Sequence, residues 1–215
     1  MIAHEINNLL TPITGYARQA LEDDDPELMR HALRKTLDCS RAMGRMVDRV
    51  AGFARQGPGA AEAVRVRDVV EDALGCLARD FTKDRIDLSL RIDEALTVHA
   101  DENPLLQVLI NLITNARHAM AGRRGRLTIR AVPEGEDRVL LEVADTGCGI
   151  APEHLDRVFD PFFSTRTDPE KADRRGLGLG LPICRDIVEE LGGTITLESR
   201  VNVGTTFRIT LPRAT

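Results

Sequence analysis

Gly176-Leu177-Gly178-Leu179-Gly180-Leu181 leads straight into an apolar-periodic segment, Pro182 to Leu191, with Ile183, Ile187 and Val188 at helical spacing. A glycine-rich loop entering a helix presents free backbone N–H groups and the positive end of the helix dipole, so it suits a phosphate group. No Gly-Lys-Ser/Thr follows these glycines, which excludes a Walker loop. No parallel βαβ unit precedes them, which argues against a dinucleotide fingerprint. Gly192-Gly193 supplies the signal that ends the helix.

Working outward, Asn103 to Met120 reads as a strong helix. Leu105, Leu109, Leu112, Ile113, Ala116, Ala119 and Met120 fall on one side, and Gln107, Asn111, Asn115 and His118 on the other. Two Asn one turn apart offer neutral oxygens at fixed spacing, which suits a hard cation such as Mg²⁺. By itself that face reads more readily as ordinary solvated surface, because polar faces are the rule on surface helices. A strand from Val139 to Ala144 runs into Asp145-Thr146-Gly147-Cys148-Gly149-Ile150. A carboxylate at a strand end can accept from an exocyclic amine such as that of adenine, and Gly147 and Gly149 let backbone approach a ligand closely. Phe159-Asp160-Pro161-Phe162-Phe163 follows, holding three of the chain's six phenylalanines. The charged stretch Thr167 to Arg175 reads as a mobile lid with Phe159, Phe162 and Phe163 as its apolar base.

Further strands are expected at Ile86–Ile92, Leu127–Val132, Ile195–Leu197 and Phe207–Leu211, and a helix at Val69–Leu77. Pro133 to Asp137 reads as a turn. Helices and strands mix without strict βαβ alternation, so residues 64–215 are expected to form an α+β two-layer sandwich. Residues 1–56 read as a helical hairpin. Ile6, Leu9, Leu10, Ile13, Ala17, Ala20 and Leu21 form one stripe, Glu22 to Pro26 a turn, and Glu27 to Arg55 a second helix. The second helix carries a wide apolar stripe, including Leu28, Met29, Ala32 and Leu33. Such a hairpin buries its stripe by pairing with another, giving half of a dimeric four-helix bundle. Residues 57–63, rich in Gly, Pro and Ala, read as a linker.

The bulk numbers restrict the function. Hydrophobic residues make up 42% and aromatic residues 3%, so Leu, Ile and Val must fill the core. A net charge of −5 argues against a nucleic-acid binder, whose footprint is basic. Cys39, Cys76, Cys148 and Cys184 show no metal-ligand spacing and read as reduced thiols of a cytoplasmic protein. No apolar run approaches the roughly 20 residues that span a bilayer, so no membrane contact is expected from this segment. The uncapped start suggests a fragment.

The order of an Asn-bearing helix, Asp145-x-Gly147-x-Gly149, a Phe-rich segment and Gly176-x-Gly178-x-Gly180 resembles the ATP-binding domain of histidine kinases, within the superfamily of the gyrase, heat-shock-90 and mismatch-repair ATPases. Gly204-Thr205-Thr206-Phe207 resembles that family's last box. The resemblance implies ATP and Mg²⁺ as cofactors, Asn115 as metal ligand assisted by Asn111, and His118 near phosphate. It also implies Asp145 at adenine and Gly176, Gly178 and Gly180 around lid and phosphates. His4-Glu5-Ile6-Asn7-Asn8 resembles the family's phosphoacceptor motif. On a helical wheel His4 lies almost opposite the apolar stripe. Glu5 would act as general base beside it. In the family, the Asn8 position helps place water for dephosphorylating a partner regulator. Where the family commonly has Pro, this chain has Leu9, so the local helix geometry should differ.

The implied function is autophosphorylation of His4 from ATP, then transfer to an aspartate on a response regulator receiver domain, in a homodimer joined by the N-terminal helices. Two other classes stay open: a non-catalytic scaffold and a chaperone-like ATPase. His31, His99 and His154 match no motif and read as surface or packing residues. The second helix exceeds the first by about seven residues, roughly 10 Å at helical rise, so the segment is expected to bind ATP but dimerise and autophosphorylate poorly.

Overall fold

The computed structural model describes residues 14–18, 26–34, 36, 61–77, 81–164 and 178–214. The chain divides into two units, residues 1–58 with 166–177, and residues 59–165 with 178–215. In the first unit, residues 14–18, 26–34 and 36 are helical, as the apolar spacing predicts. Ala32 is fully buried, whereas Leu28 and Leu33 are exposed. Arg30 pairs with Glu27 at 3.3 Å, and the Thr36 hydroxyl donates to the Ala32 carbonyl at 3.0 Å. His4, Glu5 and Asn8, the turn at 22–25 and the rest of the second helix lie outside the described residues.

The second unit is the expected two-layer sandwich. Its elements, in order, are β1 (Glu62–Arg65), α1 (Val66–Cys76), β2 (Ile86–Ile92), β3 (Thr97–Ala100), α2 (Glu102–Ala119), β4 (Gly125–Glu134), β5 (Arg138–Asp145), α3 (Pro152–Leu155), α4 (Gly180–Glu190), β6 (Thr194–Arg200) and β7 (Gly204–Pro212). The main sheet has the order β2-β4-β5-β7-β6. Only the β2–β4 pairing in it is parallel. β1 and β3 form a separate antiparallel ribbon. Val98 bridges to Arg213, and the Ala214 N–H donates to the Thr97 carbonyl at 3.3 Å, tying this ribbon to the end of β7.

Strand alternation sorts the sheet into two faces. Leu127, Ile129, Val139, Leu141, Val143, Phe207, Ile209 and Leu211 point into the core. There they meet α1, α2 and α4. α2 lies centrally and buries Leu105, Val108, Leu109, Leu112, Ile113 and Ala116. Each large aliphatic side chain buried this way contributes about 1.5–3 kcal/mol. The opposite face carries charge. Arg130 donates to Glu142 at 2.8 Å, Arg208 Nε donates to Glu142 at 3.0 Å, and Arg208 Nη2 donates to Glu198 at 3.1 Å.

Element ends follow local chemistry. Asp101 caps α2 by accepting the Asn103 N–H at 3.2 Å. At the end of α4, Gly192 is left-handed (φ 71°), with Gly192 N–H donating to Glu189 and Gly193 N–H to Val188. That is a Schellman closure, which frees the chain to start β6.

Several expectations need correction. Pro133 and Glu134 were expected in a turn but are the last residues of β4, paired with Val139 and Arg138. Glu62 and Ala63 were expected in the linker but open β1, paired with Ala100 and His99. In the first place the hairpin ladder runs on into the turn-rich residues, and in the second pairing with a distant segment overrides the linker composition. β1, β3 and α3 are too short to show a periodicity.

Candidate functional site

Asp145 ends β5 on the inward register continued from Val139, Leu141 and Val143. A charged residue therefore stands where the pattern asks for an apolar one. It is 8% exposed. Its carboxylate accepts the Gly147 N–H at 2.7 Å and the Thr205 N–H from the facing strand. Burial pushes the carboxyl above its ordinary value, while the two N–H groups act in the opposite direction. Thr205, likewise buried, is the direct cross-strand partner of Asp145.

Glycines let the loop after Asp145 lie flat against its neighbours. A Cβ on Gly147 would sit 2.6 Å from Ala119 Cβ and from Asp145 Oδ1. Gly149 is left-handed (φ 68°), and a Cβ there would strike the Arg200 carbonyl. Gly204 (φ 141°) packs against the Asp145 carbonyl in the same manner. Cys148 N–H donates to Ala119 at 3.0 Å, joining the loop to the end of α2. Asn202 N–H donates to Cys148 at 2.7 Å, joining it to the β6–β7 turn.

α2 and α4 supply the other wall. Asn111, Asn115 and His118 are half-buried on the side of α2 away from its apolar stripe. A Cβ on Gly180, at the first turn of α4, would come 3.8 Å from Asn111 Oδ1. The Asn111 amide nitrogen is buried without an oxygen or nitrogen partner and turns toward the Cys184 sulfur. Burial pushes that thiol up to about 12, so it stays protonated. No group of three His, Cys, Asp or Glu is gathered among the described residues. A cation here would take amide oxygens plus ligands brought by a phosphate. Asn111 and Asn115, neutral oxygens one turn apart beside a glycine-opened helix, fit Mg²⁺ used that way.

The phenylalanines divide. Phe159 packs against the core, with the Arg185 guanidinium 5.7 Å from its ring centre. Phe163 meets His154 at 5.3 Å and the Arg157 guanidinium at 4.6 Å. Phe162, expected with them in the apolar base, is instead 54% exposed. Its φ of 66° turns its N–H onto the Gly178 carbonyl at 3.0 Å. Gly178 is itself left-handed (φ 68°). Gly176 and the stretch expected as a lid lie outside the described residues.

Residues 100–215 match the model of the histidine kinase-, DNA gyrase B- and HSP90-like ATPases. Residues 1–59 match the His Kinase A (phospho-acceptor) domain. The chain belongs to the histidine kinases. Sensor histidine kinase ZraS of Salmonella typhi is 35% identical over 214 residues, 98% of this chain and 44% of ZraS. Sensor protein FixL of Bradyrhizobium diazoefficiens is 31% identical over 221 residues, 99% of this chain and 42% of FixL. The chain thus spans less than half the length of these relatives. The solved catalytic domain of histidine kinase ThkA matches with TM-score 0.62 and 30% identity, over 72% of this chain and 97% of that one. The structure of ThkA with response regulator protein TrrA matches with TM-score 0.70 and 30% identity, over 99% of this chain and 60% of that one.

Among the described residues of this histidine kinase, the fold gathers Asp145, Gly147, Gly149 and Thr205 at one end of β5 and β7. Asn111 and Gly180 meet at the α2–α4 junction, and Gly178 lies against Phe162 and Phe163. Sequence reasoning missed Ser199. The signal was available: Ile195, Leu197 and Ser199 share one face of β6, so Ser199 is a polar residue in an apolar series. His154, read as a surface or packing residue, packs against Phe163. Among the described residues no helix is long and apolar enough to cross a membrane.

Proposed function

We propose that this chain is the catalytic core of an ATP-dependent protein-histidine kinase. It autophosphorylates His4 and passes the phosphoryl group to an aspartate of a response regulator receiver domain. The observation that carries this reading is the coexistence, in one chain, of a phospho-acceptor domain over residues 1–59 and an ATPase-type fold with a buried polar pair, Asp145 and Thr205.

In this reading residues 1–56 dimerise and hold the acceptor, and residues 64–215 bind the nucleotide. Asp145 accepts from the adenine amine, and Thr205 lies beside it. Gly147 and Gly149 let the loop after Asp145 lie close against α2 and β6 and so shape the base site, and Phe159 and Phe163 brace its edge. Gly176, Gly178 and Gly180 present backbone N–H groups to the phosphates, with His118 nearby. Asn115, assisted by Asn111, would hold Mg²⁺, which when bound neutralises phosphate charge. The His4 imidazole attacks the γ-phosphorus. A nitrogen–phosphorus bond forms, the bond to the bridging oxygen breaks, ADP leaves, and Glu5 takes the imidazole proton. Asn8 would position water for dephosphorylating the regulator.

The solved complex of ThkA with a response regulator supports that class of partner. Exposed Leu28 and Leu33 support a homodimer through the helical hairpin. Phosphotransfer to a soluble receiver domain places this segment in the cytoplasm. Incubation with γ-labelled ATP and Mg²⁺ tests the reading. Acid-labile, alkali-stable label lost in His4→Gln supports the kinase. Phosphate release without protein label points to a chaperone-like ATPase. Neither label nor release points to a scaffold.

A further inference from the structure

Ser199 stands at the centre of a closed set of hydrogen bonds. The Ile150 N–H donates to Ser199 Oγ at 2.8 Å. Ser199 Oγ donates to the Gly204 carbonyl at 3.1 Å. Its third contact is Thr205 Oγ1 at 2.8 Å.

A hydroxyl has one hydrogen and two lone pairs, and a carbonyl only accepts. The Ser199 hydrogen is therefore committed to Gly204, and one lone pair to Ile150. The contact with Thr205 must then run the other way, with Thr205 donating. That uses the only side-chain hydrogen Thr205 has and leaves its oxygen as an acceptor. Directly across the ladder stands Asp145, whose carboxylate accepts only. Both residues are buried.

Resting on the nucleotide reading above, we propose that Ser199 is a positioning residue that fixes the hydrogen-bond polarity of the base site through Thr205. The site then takes a base edge that presents an amine and rejects one that presents a carbonyl: adenine over guanine. A guanine oxygen would face two acceptors, and buried polar groups left unmatched are the strongest source of discrimination between similar ligands. Ser199 itself touches no nucleotide. It acts by holding the Thr205 hydroxyl in one orientation and by pinning Ile150 to β6.

The test is calorimetric titration of this chain with ADP and with GDP, for the native protein, Ser199→Ala and Ser199→Thr. The native protein should prefer ADP. In Ser199→Ala the Thr205 hydroxyl rotates freely and can donate, so the ADP-to-GDP preference should fall roughly fivefold. Ser199→Thr keeps the hydroxyl and should restore it. A merely structural role would weaken both ligands equally, so an unchanged ratio overturns the proposal alone. Absence of any ADP binding by the native protein overturns the nucleotide reading and the proposal with it. If Ser199→Ala loses its folded circular dichroism spectrum, Ser199→Cys, which offers only a weak donor, replaces it with the same expected fall.

Discussion

The Thr205 backbone N–H donates to the Asp145 carboxylate from the directly opposite position on β7. This cross-strand bond lets a charged group occupy a register position otherwise filled by Val139, Leu141 and Val143. The carboxylate trades part of its hydration for two backbone donors, and its remaining lone pairs stay available to a ligand.

Asp145→Asn should separate stability from binding. Burial raises the Asp145 carboxyl above its ordinary value, so the folded state holds this proton more tightly than the unfolded chain does. The group therefore lowers stability as pH rises from the usual carboxyl range through the raised value, and the cost persists above it. Asp145→Asn should melt at or above the native temperature at pH 8, with the difference closing near pH 4. Its affinity for ADP should drop about tenfold or more, the scale of a lost charged hydrogen bond. A lower melting temperature at pH 8 with unchanged ADP affinity would count against both roles.

Two glycine-to-alanine changes should act in opposite directions. At Gly204 a Cβ collides with the Asp145 carbonyl in a left-handed backbone. Gly204→Ala should cost about 3 kcal/mol in urea unfolding. At Gly75, on α1, nothing lies within 4 Å of the added atom. Gly75→Ala should stabilise by about 0.5 kcal/mol.

The charged face of the sheet gives a stability profile of the opposite sign to Asp145. Burial alone would raise the Glu142 carboxyl, but Arg130 and Arg208 outweigh it and hold it low. Its contribution is present at neutral pH and lost as pH falls from the ordinary carboxyl value through the depressed one. Glu142 is 16% exposed, but Arg130 and Arg208 are 44% and 34% exposed, so solvent screening keeps the coupling small. Glu142→Gln should cost about 1 kcal/mol at pH 7 and progressively less as pH falls below the ordinary carboxyl value. Thermal melts across that range measure the convergence.

Asn115→Ala should abolish the Mg²⁺-dependent part of nucleotide affinity. Titrations with ADP in EDTA should change by less than about threefold, whereas the gain on adding Mg²⁺ should vanish. A retained gain would move the cation to other ligands.

Much of the second unit was legible because its strands and helices follow their own periods. Ile86 to Ile92 is a strand with the bounds expected, although Leu88 on its apolar face is exposed, and α2 departs by one residue at each end from the helix expected. The polar face of α2, Asp145 and the paired glycines could be found from residue type and order. What escaped has physical reasons. β1 and β3 are four residues each, and their pairing is fixed by a partner more than thirty residues away in sequence. Phe162 could not be separated from Phe159 and Phe163, because its exposure follows from a left-handed φ that composition does not encode. Ser199 was passed over because a serine in a strand is ordinary until its neighbours are known.

Phe162 and Gly178 have one further consequence. Their 3.0 Å hydrogen bond joins the end of the Phe-rich segment to the approach of α4. Because the donor is a backbone N–H, the tie survives any change of side chain at 162 except proline. The exposed ring of Phe162 can therefore be exchanged for a cysteine-borne dye or spin label without freeing the start of α4. Position 162 is a natural port for labelling this enzyme without dismantling its scaffold.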